Sequence, residues 1–181
     1  KECNLGINND YKEIDFAKIK YENNYNLTVN FNDKLIEEHL ITCIKEYITQ
    51  DVRLIEIGAG SRIGLLSNLQ RRLRCEALAI DPTYNIDSTK VMDTKIKYYK
   101  EIKEIPETKS QNILIARNMI EYMAPDKLSD TLDSLFKEDG LIFLEIQPIN
   151  NKSWGNIFSF SEYRTFYSCR AIDKLIKNNN K

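Results

Sequence analysis

Several residue types are scarce in this sequence, and each scarcity excludes a class of protein. There is one histidine, and the four cysteines are scattered without a C-x-x-C pair. Neither a zinc site nor a disulfide framework is therefore predicted. No apolar run approaches the roughly 20 residues that cross a bilayer, and the first residues lack the apolar stretch of a signal peptide. We therefore expect a cytoplasmic protein with no membrane partner.

Excess charge is also missing. Lys and Arg number 26 against 27 Asp and Glu, which gives a formal net charge of -1. A protein that holds long nucleic acid or an anionic membrane surface usually carries a strongly basic face. The balance therefore favours a small-molecule substrate as the partner and leaves a homodimer open. With 181 residues, 42% hydrophobic and 29% charged, the chain has the composition of one globular domain.

Hydrophobic periodicity predicts alternating strands and helices after residue 32. The first predicted element is a helix that starts at Asn32 or Asp33 and ends before Asp51. The predicted strands that follow are 52–57, 75–80, 95–100, 112–116 and 141–146. Two further helices are predicted at 63–73 and 128–136. The buried face of that first helix is predicted to carry Ile36, Leu40, Cys43, Ile44, Tyr47 and Ile48. Residues 1–32 are predicted to be loops with one short helix near Ile14–Tyr21. This alternation predicts an α/β fold with a Rossmann-like, doubly wound, mostly parallel sheet in three α/β/α layers.

The six glycines are few, yet Gly58, Gly60 and Gly64 cluster directly after the first strand of the predicted sheet. Ligands of such sheets bind beyond the carboxyl ends of the strands, where glycine lets the backbone turn tightly and approach the ligand. Asp81 ends the second strand, roughly 20 residues beyond the loop, which is the separation of an acidic group that receives ribose hydroxyls. The sequence therefore predicts a site for an adenosine-containing cofactor.

Two cofactors fit that spacing, NAD and S-adenosylmethionine. Glu56 lies two residues before Gly58, where a carboxylate suits a cationic ligand better than a doubly charged pyrophosphate. The loop spacing, Gly-x-Gly-x-x-x-Gly, also differs from the dinucleotide form Gly-x-Gly-x-x-Gly. Both features favour the ammonium and sulfonium groups of S-adenosylmethionine.

At these residues the sequence resembles the class I S-adenosylmethionine-dependent methyltransferases, in particular their small-molecule branch. Leu54–Arg62 is similar to the first motif of the family, and Ala79–Pro82 to the segment with the ribose-binding acid. Lys100–Pro106 resembles the adenine segment, Asn112–Tyr122 the fourth strand and Gly140–Ile146 the fifth. The resemblance implies that Glu101 and the Ile102 amide hold the adenine. The predicted cofactor-binding residues are Glu56, Gly58, Ala59, Gly60, Asp81, Pro82, Glu101, Ile102, Arg117 and Asn118.

The acceptor side of the predicted site is less defined. Candidates from position are Arg117, Asn118, Glu121 and Tyr122 after the fourth strand, Glu145 and Gln147 near the end of the fifth, and His39. The predicted catalytic residues are Tyr122, Glu121 and His39, and many family members have a histidine at the place of Tyr122. No metal is predicted.

These observations predict a methyltransferase that acts on an oxygen or nitrogen of a small-molecule or sugar-like acceptor. An NAD-dependent oxidoreductase and a non-catalytic binding subunit of the same fold remain alternatives. Within the single domain we expect a helical cap (1–50), a cofactor-binding core (51–149), and an aromatic-rich substrate lid with a C-terminal helix (150–181). The resemblance also implies a closing pair of strands, which either residues 151–167 supply or a segment beyond Lys181 would have to supply.

Overall fold

The computed structural model describes residues 5–7, 31–48, 50–60, 63–82, 95–135, 140–145 and 165–167. The strands are β1 (Leu5–Ile7), β2 (Val52–Ile57), β3 (Glu76–Ile80), β4 (Lys97–Tyr99), β5 (Gln111–Arg117), β6 (Leu141–Glu145) and β7 (Thr165–Tyr167). The helices are α1 (Phe31–Tyr47), α2 (Gly64–Leu73) and α3 (Pro125–Leu135). Two 3₁₀ turns, Ile102–Glu104 and Ile120–Tyr122, follow β4 and β5.

Five strands form one sheet in the order β4-β3-β2-β5-β6. β2 pairs in parallel with β3, and β3 pairs in parallel with β4, so that Ile80 lies between Ile57 and Tyr99. The order reverses at β2, which places the switch point of the sheet at the carboxyl end of this strand. The predicted Rossmann-like α/β fold is therefore confirmed.

The chain packs as two compact units, and each is described by itself. The sheet unit comprises residues 15–115 and 138–143, and the second unit comprises residues 1–14, 116–137 and 144–181. Buried side chains of α1, α2, β2, β3 and β5 form the core of the sheet unit, among them Leu40, Ile44, Leu54, Leu66, Leu69, Ala77, Ile113 and Ile115. Four successive buried residues in β3 are typical of parallel strands that are covered on both faces. The predicted three-part division of the chain stays a prediction.

Helix α1 confirms the predicted helix but corrects its buried face. Leu40 and Ile44 are buried as expected, whereas Tyr47 is 66% exposed and Ile41, which was not predicted, is 4% exposed. Successive residues are turned by about 100° around a helix axis, so the face is rotated toward Ile41 relative to the prediction. The contact with α2 sets this rotation, because Glu37 on the same side bonds to Asn68.

Several predicted boundaries also need correction. α1 begins at Phe31, just before the predicted start at Asn32 or Asp33. α3 begins at Pro125, since proline is well suited to the first helical position. The N-terminal segment predicted as loop contains strand β1, which pairs antiparallel with β7. β7 lies within the segment 151–167 but joins a separate two-stranded sheet, so among the described residues the five-stranded sheet ends at β6. The helices predicted near Ile14–Tyr21 and at the C-terminus lie outside the described residues.

Candidate cofactor site

The carboxyl ends of β2, β3 and β4 form one aligned edge in the sheet unit. The hydrogen-bond ladder continues one residue past each of the first two strands: the Gly58 amide donates to the Ile80 carbonyl (2.8 Å), and the Asp81 amide donates to the Tyr99 carbonyl (3.0 Å). The loops that follow these strands therefore start side by side, and the residues predicted from the glycine cluster and from Asp81 are brought together.

Glycine is required twice in the loop after β2. Gly58 has φ +71° and Gly60 has φ +53°, and both values lie in the left-handed region that residues with a Cβ disfavour. Ala59 between them is only 5% exposed. The loop thus turns sharply before α2, as the sequence predicted for a segment that approaches a ligand.

A hydrogen bond joins the loop to Asp81. The Gly60 amide donates to Oδ2 of Asp81 over 2.7 Å, and Asp81 as a residue is only 3% exposed. A hydrogen bond to an ionised acceptor is stronger than one between neutral groups, so this contact holds the loop against the end of β3. A carboxylate has about four lone-pair positions, so it can accept hydrogen bonds from more than one donor.

Tyr98 is a residue of this site that the sequence did not single out. Its hydroxyl lies 3.4 Å from the Gly60 carbonyl oxygen and donates to it. The parallel register places Tyr98 opposite Ala79, so its side chain points to the same face as that residue. Strand alternation gives this orientation only after the pairing of β3 with β4 is known, which is why sequence reasoning missed it.

Glu56 is buried within β2. Glu56 is only 5% exposed, and the strand register places it opposite Ala79 of β3. Burial of a carboxylate costs free energy unless the group meets compensating polar or positive atoms. A buried acid beside a glycine loop is consequently a candidate for contact with a cationic part of a ligand.

Glu101 and Ile102 lie after β4, as predicted. The structure also gives Glu101 a local structural role. Glu101 caps the 3₁₀ turn Ile102–Glu104, and the Glu101 amide donates to Oε2 of Glu104 over 3.3 Å, which completes a capping box. Lys103 Nζ lies 2.5 Å from Glu101 Oε2, and this hydrogen bond raises the pKa of Lys103. Glu101 is exposed and Ile102 is half-buried. Pro82, the remaining predicted residue of this unit, is exposed in a turn after Asp81.

The second unit contains the other candidates. Arg117 Nε donates to Oε2 of Glu145 over 2.6 Å, and Asn118 Nδ2 reaches Oε1 of the same carboxylate at 3.4 Å. Asn118 has φ +48°, and its amide donates to the Glu145 carbonyl over 2.7 Å. Glu121 is 2% exposed in the 3₁₀ turn that Tyr122 ends, and Tyr122 is half-buried. The structure therefore joins Arg117, Asn118 and Glu145 into one polar group.

Solved structures share this arrangement of strands and helices. The chain matches an S-adenosylmethionine-dependent methyltransferase from Archaeoglobus fulgidus with TM-score 0.58 and 18% identity, covering 81% of this chain and 68% of that one. It matches phosphoethanolamine N-methyltransferase 2 from Haemonchus contortus with TM-score 0.57 and 16% identity, covering 78% of this chain and 36% of that one. It matches the plantazolicin methyltransferase BpumL with TM-score 0.62 and 13% identity, covering 83% of this chain and 64% of that one.

The chain has the fold of the S-adenosylmethionine-dependent methyltransferases. It spans 68% of the first of these proteins and less than two thirds of the other two. No protein-family model matches the sequence, and no curated protein matches it significantly. At these identities the likeness concerns the fold, so the roles of individual residues of this methyltransferase fold stay predictions.

His39, the third predicted catalytic residue, belongs to the sheet unit, and its catalytic role stays a prediction. It is exposed on α1, and its Nε2 atom lies 3.7 Å from Sγ of Cys43. Gln147 lies outside the described residues. Within the described ranges, no three His, Cys, Asp or Glu side chains are grouped to hold a metal ion. None of the helices in those same ranges is long and apolar enough to cross a membrane.

Proposed function

We propose that this chain is an S-adenosylmethionine-dependent methyltransferase that acts on an oxygen or nitrogen of a small-molecule or sugar-like acceptor. The observation that carries the proposal is the pairing of the Gly60 amide with Asp81 at 2.7 Å, because it joins the glycine loop to the acid predicted to receive ribose. The structure of the Haemonchus contortus enzyme contains S-adenosylmethionine, and that of BpumL contains S-adenosylhomocysteine. Their fold supports the same cofactor here.

The buried groups of the sheet unit fit this cofactor chemically. Asp81 would accept hydrogen bonds from the ribose hydroxyls, and the buried carboxylate of Glu56 would face the ammonium of the methionine moiety. Glu101 and the Ile102 amide would contact the adenine. A pyrophosphate near Glu56 would place like charges in a poorly solvated environment, so the same burial disfavours the NAD alternative.

When bound, the cofactor supplies an activated methyl group. The chain's own contribution is then mainly alignment, because positioning two reactants converts an intermolecular step into an effectively intramolecular one. Within the second unit, Tyr122 or Glu121 would accept the proton that the acceptor loses. Arg117 and Asn118 would supply further polar contacts to the cofactor. The identity of the acceptor and the cytoplasmic location belong to this proposal as well, and a small molecule fits the near-neutral charge of the chain.

Calorimetric titration with S-adenosylhomocysteine tests the cofactor. We expect binding by the unaltered chain and a decrease in affinity of about 10- to 100-fold for Asp81→Asn, since a hydrogen bond to a charged group contributes about 1.5–3 kcal/mol. The asparagine retains an oxygen that can accept from the Gly60 amide, so the melting temperature should change little. Asp133→Asn, at an exposed position of α3, is the matched control and should bind normally.

Three results would redirect the proposal. Failure of the unaltered chain to bind S-adenosylhomocysteine, together with thermal stabilisation by NAD, would support the oxidoreductase alternative. Equal affinity of Asp81→Asn and the unaltered chain would remove the assigned role of Asp81. Cofactor binding without methyl transfer to any member of a broad acceptor panel, measured as a mass increase of the acceptor, would support a non-catalytic binding subunit.

A further inference from the structure

A nucleophile and a base lie together on helix α1, outside the residues assigned to the cofactor. Cys43 Sγ and His39 Nε2 are 3.7 Å apart, which is within hydrogen-bond reach for a sulfur atom. The two residues are four positions apart, so they occupy the same face of the helix. His39 is exposed and is the one histidine of the chain, while Cys43 is a half-buried free cysteine. A small solute can therefore reach the pair from solvent.

The second free cysteine in the described ranges, Cys75, is also half-buried. It precedes β3 and packs against the core of the sheet unit. Burial raises the pKa of its thiol to about 11, so it is almost entirely protonated at neutral pH. Because the thiolate is the nucleophilic form, Cys75 is expected to be inert. The two described cysteines are therefore alike in being half-buried, and Cys43 differs in having an imidazole within hydrogen-bond distance.

The imidazole matters because a thiol must lose its proton as it attacks a disulfide. Nε2 of His39 lies within hydrogen-bond distance of the Cys43 sulfur and can accept that proton during the attack. A solvent-accessible cysteine beside histidine is the arrangement found at reactive thiols.

We propose that Cys43 is a reactive thiol that undergoes thiol–disulfide exchange with low-molecular-weight disulfides, with His39 as its proton acceptor. In this step the Cys43 sulfur attacks one sulfur of the disulfide, a new S–S bond forms, and the original S–S bond breaks. The departing half leaves as a thiolate, and the Cys43 proton passes to Nε2 of His39 and then to solvent. No net oxidant beyond the disulfide is consumed. This modification site is independent of the proposed methyl transfer.

Peptide mapping after brief treatment with 5,5′-dithiobis(2-nitrobenzoate) tests the proposal on the intact chain. The rates of modification of Cys43 and Cys75 are measured in the same sample by quenching at successive times. We expect Cys43 to react at least about tenfold faster than Cys75. We expect His39→Gln to slow Cys43 by about tenfold or more, because the sulfur then loses its proton acceptor. Cys75 should react at an unchanged rate in that variant.

The rate at Cys75 also reports on folding, because unfolding would expose its thiol and accelerate its reaction. A structural role for His39 is separated from a proton-accepting role by His39→Ala assayed with and without added imidazole. We expect imidazole to restore part of the Cys43 rate in His39→Ala and to leave the Cys75 rate unchanged. An equal Cys43 rate in the unaltered chain and His39→Gln, or a Cys43 rate no greater than that of Cys75, would overturn the proposal.

Discussion

Alanine at Gly60, in the loop before α2, and at Gly64, the first residue of α2, should change the free energy of unfolding in opposite directions. Gly60 has φ +53°, and among the described residues a Cβ built there would meet only Asp81 Oδ2, at 3.9 Å, which is an ordinary van der Waals contact. Gly60→Ala therefore causes backbone strain without a steric clash, and it keeps the amide that donates to Asp81. The strain of a left-handed residue is about 1–2 kcal/mol, and the reduced entropy of the unfolded chain returns about 0.4–1 kcal/mol.

Gly64 provides the matched control. It is the first residue of α2, and a Cβ there would meet no atom within 4 Å in the part of the chain that the structure describes. Gly64→Ala should then raise the free energy of unfolding by about 0.5 kcal/mol, because alanine loses less backbone entropy in a helix. Gly60→Ala should lower the free energy of unfolding by about 1 kcal/mol on the same reasoning.

Urea unfolding followed by circular dichroism measures both changes, and thermal melts should separate the two variants by about 3–6 °C for a chain of this size. Unfolding of the two variants at the same denaturant concentration would refute the argument. So would a stability of Gly60→Ala equal to that of the unaltered chain, since the left-handed backbone would then place no demand on the residue.

Other predictions concern the same fold. Arg53 is 3% exposed and donates to Asn112 Oδ1 (3.0 Å) and to the Pro106 carbonyl (2.6 Å). Arg53→Ala should therefore lower the free energy of unfolding in urea by about 2–4 kcal/mol. Lys34→Ala, at an exposed position of α1, is the control and should be nearly neutral. Asn118 has φ +48°, in the left-handed region. Asn118→Ala should therefore lower the free energy of unfolding by about 1 kcal/mol, whereas Asn118→Gly should be near neutral. Equal losses of stability in the two variants would contradict the strain argument. Burial raises the pKa of Cys75 to about 11, so iodoacetamide should modify it about 100-fold more slowly in the native chain than in urea at pH 8, as followed by peptide mapping. Because the pKa of this thiol is higher in the folded than in the unfolded chain, its contribution to stability is present below about pH 9 and is lost as the pH rises toward 11. A free energy of unfolding that increases over that pH range would contradict this expectation.

The sequence predicted the regular elements well where local patterns are strong. β2 begins and ends where the apolar run predicts, and α2 differs by one residue at its start. Such segments follow from short-range chemistry, since an apolar run bounded by polar residues and glycine favours a buried strand. The pattern predicts that α3 starts at residue 128, whereas the helix starts at Pro125. Proline is a preferred first helical residue, so the sequence itself indicated the earlier start.

The chemistry of the candidate site was predicted in part. The left-handed angles of Gly58 and Gly60 agree with the need for glycine inferred from the loop, and Asp81 lies beside that loop as its position at a strand end implied. The ion pair between Arg117 and Glu145 was not predicted, although both residues were candidates. Its partners lie on strands that are distant in the sequence, and no local pattern specifies which charges meet.

By itself, the sequence determined the types of the elements, the glycine-bearing turn and the acids that follow the strands, because periodicity and turn preferences act over a few residues. The tertiary structure alone decided which of these groups touch. Parallel pairing of β2 with β3 brings the Gly60 amide to Asp81, pairing of β3 with β4 turns Tyr98 toward the loop, and contact with α2 selects the buried face of α1. These contacts depend on strand order and register, which arise from the packing of the whole chain and have no counterpart in any single segment.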